Sequence, residues 1–141
     1  MRFLLLTLTL LGIIASSLAL REHYRPYGES PCSINEHWDC GVVNHSPYAM
    51  IAGVPVAVIG IVGYIVMALL AARRSYRLLL AASATGLAFS LYLAHIESSI
   101  LGVWCIYCVA SLVIVSLLTV TSLVLSLIST RILSLFSPPK A

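Results

Sequence analysis

Charge is what this chain has least of. Of its 141 residues 9% are charged and 60% are hydrophobic, whereas a soluble domain carries roughly 25% charged residues. Lys140 is the sole lysine, and no acid lies between Asp39 and Glu97. Such a composition excludes an ordinary water-soluble domain. The basic residues are scattered, so the net charge of +3 leaves no stripe for nucleic acid. Cysteine is held to four residues. Val109 follows the Cys-x-x-Cys of Cys105 and Cys108, so the covalent haem signature, which needs His there, is missing. His23, His37, His45 and His95 show no metal spacing. A four-cysteine zinc site fits poorly, because one cysteine pair borders a membrane span. No metal is expected. The length suits one domain.

What the chain has in quantity is apolar runs, at about 3–20, 54–72, 78–96 and 103–128. Crossing a bilayer takes roughly 20 apolar residues, and backbone in lipid must satisfy its own hydrogen bonds, so each run predicts a helix. The first run, with Arg2 before it and Ser17-Leu18-Ala19 near its end, also fits a secretory signal. It reaches Leu20 without a polar stretch, and four helices close a bundle better than three, so it is read as a span. The fold expected is an all-α integral membrane protein. It is a four-transmembrane-helix bundle with a long extracytoplasmic redox loop (21–46), a short interfacial helix (47–52) between helices 1 and 2, and a cytoplasmic tail (129–141).

Orientation follows the basic residues. With both termini cytoplasmic, Arg2, Arg73, Arg74, Arg77, Arg131 and Lys140 lie inside, and only Arg21 and Arg25 lie outside. All four cysteines then fall on the extracytoplasmic side, where disulfides persist. This predicts a protein of a cytoplasmic membrane. Ser46 and Pro47 read as the cap and first turn of the interfacial helix. In helix 3, Ala82, Gly86, Ser90 and Ala94 form a small-residue packing stripe. In helix 4, Cys105, Cys108, Ser111, Ser116, Thr119, Ser122, Ser126 and Ser129 share an arc of about 140°, which turns toward the bundle. His95 and Glu97 read as solvated or capping groups, with proton handling the alternative.

A Cys-x-x-Cys pair on a helix spans one turn. The positive end of the helix dipole favours a thiolate at Cys105, making it the attacking sulfur. Cys108 lies about 4.5 Å deeper, within reach of a lipid-soluble electron acceptor. Cys32 and Cys40 enclose seven loop residues. A bridge between them is a structural staple worth roughly 2–3 kcal/mol, or else a relay that collects electrons from a protein thiol and exchanges with Cys105.

The four spans, the two-cysteine loop, "GVPVAVIG" and "WCIYCVAS" together resemble prokaryotic members of the vitamin K epoxide reductase family over nearly the whole chain. The resemblance implies a quinone (menaquinone, ubiquinone or vitamin K type) enclosed by the helices near Cys108. It also implies electrons passing from a thioredoxin-like partner to Cys32 and Cys40, then to Cys105 and Cys108, then to the quinone. Cys40 and Cys105 would form the mixed disulfide, Ser46 would stand beside the site, and Ser111 would lie near the quinone. Animal members have an Asn and a Tyr on the quinone oxygens; Val56 and Leu112 occupy the matching positions here. That departure favours reduction of a membrane quinone over epoxide reduction. The chain stops at "FSPPKA" without a fused thioredoxin-like domain, so the partner is expected to act in trans. Three other readings are a vitamin K epoxide reductase proper, a DsbB-like quinone oxidase (whose cysteine pairs run in the opposite order), and a non-catalytic disulfide-stapled membrane protein.

Overall fold

The computed structural model describes residues 1–26 and 28–136, the last five of these by their backbone. Four long helices dominate: α1 (Arg2–His23), α3 (Val56–Ala72), α4 (Tyr76–Ile96) and α5 (Ile106–Phe136). α1, α4 with its extension to Leu101, and α5 as far as Arg131 are long and apolar enough to cross a membrane, and α3 is a shorter apolar helix. α5 continues past the predicted end at 128 because Ser129, Thr130 and Arg131 extend the turn without a breaker. Thr130 Oγ1 bonds back to the Ser126 carbonyl at 2.8 Å. Residues 137–141 of the expected tail lie outside the described residues.

Small residues set how the helices meet. A Cβ on Gly12 of α1 would collide with the Tyr64 ring of α3, and one on Gly60 would stand 2.8 Å from Ser16 Oγ. These two contacts let α1 and α3 approach closely. α5 lies along both α1 and α4, whereas α3 and α4 touch sparingly. At the end that carries Arg2 and Arg77, Leu5, Leu79, Val115 and Leu118 form a sealed apolar core. Phe3, Leu10, Val62, Leu78, Val120 and Leu127 point outward, the surface a bilayer would cover.

The segment between α1 and α3 is more ordered than a plain loop. Cys40–His45 form a short helix, α2, capped by Asp39, whose carboxylate accepts the Val42 N–H. The expected helix at 47–52 is corrected. Only Pro47–Ala49 makes a 3-10 turn, followed by a two-stranded hairpin of β1 (Met50–Ile51) and β2 (Val54–Pro55). Ala52 and Gly53 both have positive φ, at 50° and 82°. That is the geometry of a tight hairpin turn, and it cannot continue a helix.

Candidate functional site

The cysteines gather at the end of the bundle opposite the apolar core. Cys32 and Cys40 are joined by a disulfide with 5.4 Å between their Cα atoms. Cys105 and Cys108 are free thiols. Cys32, Cys40 and Cys105 share one buried cluster with Val43, and Cys108 packs against it.

Backbone pairing brings the two couples together. The Trp104 N–H donates to the His37 carbonyl at 2.8 Å, and the Asp39 N–H donates to the Trp104 carbonyl at 3.0 Å. Trp38 and Trp104 thus form a short parallel bridge. Cys40 follows one strand of this bridge and Cys105 follows the other. The redox loop is therefore stitched to the residues just before α5.

Cys105 is the N-cap of α5: its carbonyl accepts the Val109 N–H at 3.0 Å. A cap side chain accepts the free N–H groups of the first turn, and here a sulfur takes that place. The Cys105 thiol is held below its ordinary value. The Cys108 thiol hydrogen bond contributes most and the N–H groups of Cys108 and Tyr107 add to it, against burial and the Glu97 charge. Asn44 Nδ2 spans the gap, donating to the Cys40 carbonyl at 2.8 Å and to Cys105 Sγ at 3.5 Å. Beyond Ile96 the chain makes a π-helical turn, Glu97–Leu101, closed by Gly102 with φ 67°. π turns recur at functional sites. This one presents Glu97, 3% exposed, whose Oε2 accepts the Cys105 N–H at 3.0 Å. Of the expectation that Glu97 is solvated or capping, the solvated half is corrected and the capping half agrees with the bond to the Cys105 N–H, while His95 is exposed.

A cavity of about 110 Å³ opens beside Cys108. Its walls are mostly apolar (Ala15, Val56, Phe89, Leu93), with Asn44, Ser46, Ser90, Glu97 and Ser111 among the polar groups. Ser46 is buried and its hydroxyl donates to the Val43 carbonyl at 2.7 Å. A second cavity continues from Ser111, Phe89 and Ser90 between α3 and α4. Ala82, Gly86 and Ser90 of the small stripe line this space, and Gly86 packs closely on Met67 and Val115. Of the residues expected at the quinone, Cys108, Ser111 and Val56 line the first cavity and Leu112 lines neither. One residue past Ser111 turns the side chain by about 100°, carrying Leu112 to the neighbouring face.

Three residues near the site were given no role in the sequence reading. Tyr64 brings its hydroxyl from α3 to Ser111, 2.8 Å from Oγ and 3.0 Å from the carbonyl. Asn44 and Trp104 tie the loop to α5. A polar residue inside an apolar span was the signal for Tyr64; Trp104 opens the "WCIYCVAS" stretch, and nothing local marked Asn44. Among the described residues no cluster suited to a metal ion is present.

No curated protein matches the chain. The family model described as the vitamin K epoxide reductase family matches residues 3–123, which takes in all four cysteines. Members are redox enzymes that couple thiols to quinones, and the apolar helices accord with an integral membrane protein. The chain belongs to the vitamin K epoxide reductase family.

Proposed function

We propose that the chain is a membrane thiol:quinone oxidoreductase that oxidises a thioredoxin-like partner in trans and so supports disulfide formation in exported proteins. One observation carries the reading: a disulfide, Cys32–Cys40, and a dithiol, Cys105 and Cys108, share one buried cluster whose inner member opens on an apolar cavity. A staple alone would not need a second thiol pair paired to it through backbone.

The sequence of steps is as follows. A partner dithiol reduces Cys32–Cys40. The Cys40 thiolate attacks an oxidised inner pair at Cys105, forming the Cys40–Cys105 disulfide and releasing Cys108. Cys32 then attacks Cys40, restoring the outer disulfide and leaving both inner thiols reduced. An outer disulfide with inner thiols is the pattern present here. Asn44 holds Cys105 toward Cys40, and the α5 N-terminus favours its thiolate. A bound quinone supplies a two-electron, two-proton acceptor. The apolar walls suit a flat ring, and Ser90 and Ser111 supply hydroxyls. Val56 lines the cavity without a polar group and Leu112 stays outside it, which favours quinone over epoxide reduction.

The four helices span the bilayer with both termini cytoplasmic. The basic end, where Arg77 donates to Thr130 at 3.3 Å, faces inward, and the cysteine end faces outward. The test is anaerobic quinone reduction by purified protein supplied with a reduced thioredoxin-like donor. Turnover is expected with the native chain and lost in Cys108→Ala; normal turnover by that variant would defeat the proposal. Supplying an epoxide in place of the quinone should yield no product.

A further inference from the structure

Glu97 is a buried carboxylate in an apolar end of a membrane helix, and among the described residues no cation pairs with it. Burial of an unpaired charge is costly, so its position needs a cause. One contact is structural: Oε2 accepts the Cys105 N–H, an otherwise orphan donor ahead of α5. A glutamine would serve that bond equally without the charge. The charge has a second neighbour, because the bond to the Cys105 N–H sets the carboxylate at the start of α5, where Cys108 stands in the first turn. Glu97 and Cys108 also line the same cavity. A proton acceptor thus shares a cavity with the innermost reacting sulfur and faces the space where the electrons leave.

Resting on the reading above, we propose that Glu97 is a catalytic proton acceptor for Cys108 during quinone reduction. Cys105 enters the step as a thiolate and Cys108 as a thiol. The Cys108 S–H bond breaks, its proton passes to a Glu97 oxygen, and a Cys105–Cys108 S–S bond forms. The two electrons released go to the quinone. One proton reaches it through Glu97 and one from water at the cavity mouth, so charge and atoms balance. Glu97 ends as a carboxylate, ready for the next cycle.

The experiment uses the purified full chain, anaerobic, with the inner pair reduced beforehand and a short-chain soluble quinone as acceptor. Glu97→Gln keeps an oxygen for the Cys105 N–H but cannot take the proton. Its kcat should fall about 100-fold, within the usual range for general acid–base groups. KM for the quinone and the rate of outer-to-inner thiol exchange, followed by alkylation mass shift, should each stay within about threefold. Glu97→Asp should recover about tenfold of the loss. A Gln variant with kcat within about threefold of native overturns the proposal. So does an equal loss of quinone reduction and thiol exchange, which would make Glu97 a cap only. Failure of the native chain to reduce quinone at all would instead sink the reading on which this one rests.

Discussion

At one end of the bundle Leu5, Leu79, Val115 and Leu118 are buried among apolar neighbours. At the other end Cys40, Cys105, Asn44 and Glu97 are as deeply buried, but each is fixed by a polar bond. The apolar end has no cysteine and is held mainly by packing, to which the buried Ser83 and Ser122 hydroxyls, 3.3 Å apart, add a polar link between helices. The cysteine end accepts the expense of buried polar groups, which low dielectric makes steep when they are unpaired. It also keeps an open space beside Cys108. The difference teaches where the molecule places stability and where it places reactivity: the first in close-packed helices, the second where a loop is pinned to a helix start.

Substitutions can break this contrast from either side. Cys105→Ala or Cys108→Ala should reduce turnover by more than about a thousandfold, as loss of a reacting nucleophile does. Circular dichroism should meanwhile report unchanged helix content. At the apolar end the effects should reverse. Leu118→Ala should cost roughly 2–4 kcal/mol in unfolding measurements in detergent, with turnover of the folded fraction retained. Gly12→Val should also destabilise, since its side chain would displace the Tyr64 ring; overpacking of this kind costs roughly 1–3 kcal/mol. Asn44→Ala, which unlinks Cys40 from Cys105, should slow formation of the trapped Cys40–Cys105 disulfide about tenfold, the equivalent of one hydrogen bond of roughly 1.4 kcal/mol. Least affected should be Tyr64→Phe, which loses its bonds to Ser111; stability should fall by about 1 kcal/mol, with a small rise in KM for quinone.

The contrast also marks what could be read from residues in order. Apolar runs and the Cys-x-x-Cys are local patterns, so the long helices and the place of Cys105 and Cys108 at the start of one of them were legible. The basic residues around Arg73 and Arg77 mark one end in the same way. Asn44 was not legible, because its meaning comes from a partner 61 positions away, and Glu97 was legible as a cap but not as a buried one. Glu97 sits at the close of an apolar helix, where a solvated acid is the ordinary reading. Only the π turn that directs it inward reverses that. The hairpin after Ala49 was missed because Ser46-Pro47 is a good helix opening. Ala52-Gly53, both left-handed, decides the outcome downstream. Leu112 was aligned by sequence position, while helical rotation takes it off the cavity wall.

The claim on which all else depends is that the loop couple and the helix couple exchange directly. In native membranes, a Cys32→Ser, Cys108→Ser double variant retains Cys40 and Cys105 alone. After mild oxidation, proteolysis and mass spectrometry of the monomer band should recover a disulfide joining the Cys40 peptide to the Cys105 peptide. Recovery of both cysteines as separately alkylated thiols would contradict the account.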